Sequence, residues 1–274
     1  MKELAISVII PTYNRYNQVC EAVASVREQT CAPMEIIVVD DGSTDETSDL
    51  FARGNPDIQY IRQANSGPAA ARNNGVRAAR GEWIALLDSD DLWRPEKLAI
   101  QVQALASTGG YDICYTGEEW IRNGKTVKQK KNHAKYSGWI YEHCVRQCIV
   151  GCSTVMLRRA VWLEEEGMDE TLPAAEDYDL WLRLSCRYAF LLVEEALVIK
   201  RDGHTGQVSH QWGLDQYRVK ALQKMLKRKE LSERQKVLTR VGLADKCRIL
   251  HAGYLKHGKI TEAEYYETLK DALS

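Results

Sequence analysis

From the N-terminus to about residue 115, short apolar runs alternate with longer stretches in which apolar positions recur at helical spacing. The runs are Ala5 to Ile10, Glu35 to Val39, Ile58 to Ile61, Trp83 to Leu87 and Tyr111 to Tyr115. Between them Val19, Val23 and Val26 share a helix face, Ala69 to Ala79 is alanine-rich, and Pro95 opens a helix reaching about Ser107. That alternation is the rhythm of a parallel βαβ sheet. Ile36-Ile37-Val38-Val39 contains no polar position, as a strand covered by helices on both faces requires.

After Tyr115 the rhythm changes. Glu118 to Lys131 is polar with Asn123-Gly124 at its middle, a strong hairpin signal, and the layout becomes α+β. Ser153 to Leu157 and Phe190 to Val193 read as strands, and Glu176 to Arg187 as an amphipathic helix. From Trp212 the pattern is helical to the C-terminus, with Leu214, Tyr217, Ala221 and Met225 in one stripe. The expected organisation is one α/β domain over residues 1–210, in halves 1–115 and 116–210, followed by a helical extension over 211–274.

Composition narrows the classes. With 45% hydrophobic and 27% charged residues and a formal charge of -1, the chain is neither disordered nor a globally basic nucleic-acid binder, so no nucleic-acid partner is expected. No apolar run approaches the roughly 18 residues of a transmembrane helix. Met1 to Ile10 reads as a buried first strand rather than a leader. Eight cysteines without an Asn-x-Ser/Thr acceptor point to free thiols and a cytoplasmic setting.

In an open parallel sheet, ligands sit beyond the carboxyl ends of the strands. There the chain places Pro11-Thr12-Tyr13-Asn14-Arg15, Asp40-Asp41-Gly42-Ser43-Thr44-Asp45, Asn65-Ser66-Gly67-Pro68 and Asp88-Ser89-Asp90-Asp91. Neither the glycine fingerprint of dinucleotide sites nor that of a P-loop is present. Asp88 and Asp90 offer two hard oxygen ligands for Mg²⁺ or Mn²⁺, which would let a diphosphate approach the acids, and Arg72 supplies positive charge nearby.

These residues carry a resemblance. Ser7 to Arg15, Val38 to Asp45, Ala71-Arg72-Asn73-Asn74-Gly75 and Gly81 to Asp91 resemble, in order and spacing, the successive motifs of family 2 glycosyltransferases with the GT-A fold. The match covers roughly the first 115 residues and continues more weakly to about 210. The resemblance implies a mostly parallel Rossmann-like sheet flanked by helices. It implies nucleotide binding by Pro11, Thr12, Tyr13, Asn14, Arg15, Asp41, Arg72, Asp88 and Ser89, and metal ligation by Asp90 and His204. It further implies Asp177, of the pair Glu176-Asp177, as the catalytic base, with 1–115 the nucleotide-sugar-binding half and 116–210 the acceptor-side half, to which 117–151 belongs by its position between the Asp-x-Asp motif and that base. The reaction so implied is inverting transfer from a nucleoside diphosphate sugar, with uridine diphosphate the expected carrier, to a saccharide or lipid-linked saccharide hydroxyl. Two alternatives stand beside it: a catalytically silent glycan- or nucleotide-binding module of the same fold, and a sugar nucleotidyltransferase. The latter carries a glycine-rich, arginine-containing loop after the first strand, and Pro11 to Arg15 contains no glycine.

Three further features are weighed. Cys144, Cys148 and Cys152, spaced by four with His143 nearby, superficially suggest zinc, but Gly151 interrupts the helix and buried thiols are expected. Trp139, Trp181 and Trp212 are candidates either for sugar stacking or for the core. Residues 218–229 hold Arg218, Lys220, Lys224, Lys227, Arg228 and Lys229 beside Leu222, Met225 and Leu226. This stretch is a candidate contact with the inner face of an anionic membrane, the alternative being a solvated helix face.

Overall fold

The computed structural model describes residues 4–52, 57–127, 134–203 and 212–273. Four of the apolar runs become parallel strands: β1 (Ile6–Thr12), β2 (Glu35–Asp40), β3 (Ile58–Arg62) and β4 (Trp83–Leu86), in the order β3-β2-β1-β4. They are joined by α1 (Tyr16–Arg27), α2 (Thr47–Ala52) and α3 (Gly67–Ala78). Every residue of β1 and β2 is buried, because helices cover both faces. Glycine at position 75 lets α3 lie directly on the sheet: a Cβ there would stand 2.4 Å from Ile9 Cγ2.

The remaining strands are β5 (Leu92–Trp93), β6 (Ile113–Arg122), β7 (Lys125–Val127), β8 (Met156–Arg158) and β9 (Phe190–Asp202). They extend the sheet as β4-β8-β6-β9-β5, with β7 hairpinned onto β6. The hairpin turns at Asn123-Gly124, whose φ values of 50° and 74° suit the twist of the paired strands. The layout does turn mixed after Tyr115, with β8 antiparallel to β4 and β6, but the strand expected to end at Tyr115 continues. β6 runs on to Arg122 and pairs in parallel with β9 from Ile113↔Phe190 to Arg122↔Asp202, with a register shift at Gly117. Only glycine fits that bulge, since a Cβ would meet the Glu194 carbonyl at 2.5 Å. The expected strand from Ser153 to Leu157 is also corrected. Thr154 donates from N and Oγ1 to the Gly151 carbonyl, so Cys152–Thr154 tightens into a 3₁₀ turn and the strand begins at Met156.

The other helices are α4 (Lys97–Thr108), α5 (Tyr141–Arg146), α6 (Arg159–Glu164), α7 (Glu176–Ser185), α8 (Asp215–Leu226), α9 (Glu233–Lys256) and α10 (Ile260–Asp271). Ser232 and Gln235 form a reciprocal capping box that starts α9. The C-terminal helices share the main core: Val219, Leu222, Met225, Leu243 and Leu250 are buried in one cluster with Tyr178, Leu180 and Leu182 of α7. Gly242 brings α9 against α5, where a Cβ would lie 2.3 Å from Val145 Cγ1. Among the described residues no helix is long and apolar enough to cross a membrane.

Candidate active site

The carboxyl ends of β1, β2 and β3 are tied to one another by short polar bonds. Asn14 adopts φ 51° and accepts the Thr44 backbone N–H through Oδ1 at 2.7 Å, while its own N–H donates to Ser43 Oγ at 2.9 Å. Asp40, fully buried, accepts the Ser43 N–H at 2.7 Å and the Tyr60 hydroxyl at 2.5 Å. Asp41 receives the Ser66 and Gly67 N–H groups at 2.9 and 2.8 Å and Gln63 Nε2 at 2.7 Å, so it caps the start of α3. A carboxylate offers roughly four lone-pair sites, so three donors leave Asp41 one direction for a ligand.

Above these ends lies a cavity of about 760 Å³. Its wall includes all the described site residues that the sequence pointed to: Pro11 to Arg15, Asp41, Arg72, Asp88, Ser89, Asp90 and Asp177. His204 lies outside the described residues.

Arg72 joins two parts of the wall. Its NH2 donates to Asp88 Oδ1 at 2.6 Å and its NH1 to Glu176 Oε1 at 3.0 Å, linking the end of β4 to the start of α7. Burial pushes the Asp88 carboxyl up, but the charge and hydrogen bond of Arg72 outweigh it and hold it below the usual carboxylate range. Arg15 NH1 pairs with Asp90 Oδ2 at 2.8 Å. Asp91 accepts the Ser153 hydroxyl at 2.6 Å and the Arg201 N–H at 3.1 Å, and burial, reinforced by Asp88 and Asp90, pushes its carboxyl up to about 7. Asp88, Asp90 and Asp91 bring ligand oxygens within 4.8 Å of one another. Three hard oxygen donors at one strand end fit Mg²⁺ or Mn²⁺.

The turn into α7 is unusual for a residue with a side chain: Ala175 sits at φ 60°, in the left-handed region. It brings Glu176 and Asp177 to the cavity in the first turn of the helix. Asp177 Oδ1 accepts the Tyr178 N–H at 2.7 Å, and Oδ2 accepts the Cys148 thiol at 3.3 Å. Burial and then the Asp177 charge push the Cys148 thiol well up, so it stays protonated and remains a donor. Burial and the neighbouring Asp177 also raise the Glu176 carboxyl, against the opposing pull of Arg72.

Glu118, Trp120 and Cys148 also line this wall and fall in the stretch 117–151 that its position assigns to the acceptor side, but no motif singled out these residues, nor Lys200, Arg201 and Arg218. They come from β6, the turn after α5, β9 and α8, elements without a local motif. Trp120 is the tryptophan on the cavity wall among the described residues, whereas Trp181 is 1% exposed and Trp139 and Trp212 are exposed at 68% and 52%. The cysteines are free, with Cys144 and Cys152 buried. In the basic stretch 218–229, Leu222 and Met225 face the core. Arg218 pairs with Asp215, Lys224 with Asp169 and Asp179, and Arg228 with Glu165. The apolar stripe expected at a membrane surface is therefore turned inward.

Residues 7–163 match the family model described as glycosyl transferase family 2. An uncharacterized glycosyltransferase of Rickettsia bellii is 34% identical over 189 residues, 68% of this chain and 27% of that protein. The chain thus spans under a third of the length of the first curated relatives it matches. The Escherichia coli protein WfgD is described as a UDP-Glc:alpha-D-GlcNAc-diphosphoundecaprenol beta-1,3-glucosyltransferase. It is 31% identical over 186 residues, covering 67% of this chain and 71% of its own. Among solved structures, S. aureus TarS 1–349 in complex with UDP-GlcNAc superposes with a TM-score of 0.70 at 18% identity, covering 96% of this chain and 90% of that one.

Proposed function

The chain belongs to glycosyl transferase family 2, and from that premise we propose that it moves a sugar from a nucleoside diphosphate sugar to a hydroxyl of a saccharide or lipid-linked saccharide, with inversion. Uridine diphosphate is the carrier of choice in this reading and the cytoplasm its setting. Similarity to WfgD, described with a UDP-Glc donor and a diphosphoundecaprenol acceptor, supports both substrate classes. The observation that carries the reading is that Asp177 and the acids after β4 share one cavity wall, where Arg72 links Asp88 to Glu176, the residue before Asp177.

In this mechanism the loop from Pro11 to Arg15 and the free direction of Asp41 receive the nucleotide. Ser89 and Asp88 lie beside it. Asp88, Asp90 and Asp91 would hold a divalent cation, Mn²⁺ or Mg²⁺, with His204 a further ligand candidate; that cation supplies Lewis acidity at the departing diphosphate. Asp177 takes the proton of the acceptor hydroxyl as that oxygen attacks the anomeric carbon from the face opposite the leaving group. The Cys148 thiol and the Tyr178 N–H hold the Asp177 carboxylate for that step without neutralising it.

The test is a calorimetric titration of UDP, GDP and their sugars with Mn²⁺ and with chelator, on wild type and Asp90→Ala. Metal-dependent binding of one nucleotide series, lost in Asp90→Ala, is expected. Silence toward every nucleotide under both conditions overturns the reading.

A further inference from the structure

Five cationic side chains stand on the described wall of the cavity: Arg15, Arg72, Lys200, Arg201 and Arg218. Four are held by carboxylates, Arg15 by Asp90, Arg72 by Asp88 and Glu176, Arg201 by Glu21 and Arg218 by Asp215. Lys200 differs. Among the described residues its side chain makes no hydrogen bond and no ion pair within 4.0 Å. Its Nζ lies 5.6 Å from the centre of the Trp120 ring, on the residue opposite it in the β6–β9 register. An ammonium has three donors, and none of these finds an acceptor among the described residues.

The charge is nevertheless secure. Burial by itself would strip the proton, but Glu118, Asp91, Asp88 and Asp177 together outweigh it and raise Lys200 above its ordinary value. These acids act across a gap rather than by contact, so they keep Lys200 positive while leaving its donors available. They also locate it. Asp88 and Asp91 belong to the acid cluster after β4 and Asp177 opens α7, and Lys200 shares one cavity wall with all three, next in the chain to Arg201, whose N–H donates to Asp91.

We propose that Lys200 is a further catalytic residue, whose ammonium hydrogen-bonds the distal phosphate of the nucleoside diphosphate and stabilises it as the leaving group. The proposal rests on the transferase reading above. In the step, the bond between the anomeric carbon and the distal phosphate oxygen breaks and its electron pair stays on that oxygen. The acceptor oxygen forms the new bond and its proton goes to Asp177. Lys200 donates hydrogen bonds throughout and transfers no proton. A preorganised cation at the point where charge develops is worth most in the transition state.

The test compares wild type with Lys200→Met, Lys200→Gln and Lys200→Arg, each first checked for a wild-type-like thermal melt. UDP, GDP, UMP and GMP are titrated by calorimetry with Mn²⁺ present. A hydrogen bond to a charged group predicts that Lys200→Met and Lys200→Gln weaken the bound diphosphate about 10- to 100-fold. The monophosphate of the same base should hold at the wild-type level, and Lys200→Arg should recover most of the lost diphosphate affinity. A diphosphate-to-monophosphate ratio unchanged in Lys200→Met or in Lys200→Gln overturns the proposal and leaves the transferase reading standing. Wild type that binds no nucleotide, even with Mn²⁺, overturns the transferase reading and this inference with it.

Discussion

After β4, Asp88 and Asp90 are each gripped by a guanidinium, Arg72 at 2.6 Å and Arg15 at 2.8 Å, whereas at the start of α7 Asp177 receives a backbone N–H at 2.7 Å and a thiol at 3.3 Å. The first arrangement is charge-assisted: it holds a carboxylate still, as a ligand for a cation must be. The second holds an acid by weak, neutral donors, with no cation at contact range among the described residues, as suits an acid that accepts a proton. Two acids in one cavity are thus prepared for different work by the company they keep.

The comparison breaks most sharply at Asp177. Asp177→Asn keeps the shape and removes the proton acceptor, so single-turnover transfer should fall by about 10² to 10⁴ while nucleotide affinity by calorimetry stays at the wild-type level. Near-normal transfer would mean that another group takes the proton.

Removing the clamp is the next largest change. Arg72→Met strands Asp88 and Glu176 without their shared cation, and urea denaturation should show a loss of about 3 to 5 kcal/mol. A loss below about 1 kcal/mol would place the pair in the class of surface ion pairs and erase the contrast with Asp177.

Another buried cation sharpens the point by pairing with no acid among the described residues. Lys97 is fully buried, donates to Gln101 Oε1 at 2.7 Å and lies 4.0 Å from the centre of the Trp93 ring. Burial pushes its ammonium down to about 7. The unfolded chain keeps that proton to an ordinary lysine pKa of about 10.4, so above pH 7 the unfolded state binds more protons than the native one. Stability should therefore rise with pH, by up to about 2 kcal/mol between pH 7 and 9, and the penalty should be fully present below pH 7. Denaturation profiles of Lys97→Met should lack that rise. An identical profile in both proteins would mean that Lys97 stays charged in the folded state, as Arg72 does.

Much of this was legible in the chain. The strands β1, β2 and β4 were readable because a strand covered on both faces admits almost no polar residue, and the acids after β2 and β4 stood out against those apolar runs. The long strands β6 and β9 were not. Glu118, Glu119, Arg122, Lys200 and Arg201 are polar positions on strands whose partners are each other, and local periodicity does not report pairing between segments some eighty residues apart. The turn at Cys152–Thr154 was misread as a strand because its hydrogen bonds to Gly151 leave no mark on the apolar pattern.

By itself the sequence determined the parallel half of the sheet, the acids at its edge and Asp177 at the head of a helix, since each is a local pattern of residue type and spacing. Only the tertiary structure decided which acid met which cation: Arg72 with both Asp88 and Glu176, Arg15 with Asp90, a thiol with Asp177, and Lys200 with none of them at contact range. Charge and hydrogen bonding depend on distances of a few ångströms between residues far apart in the chain, and those distances exist only once the sheet has closed and α7 has packed against it.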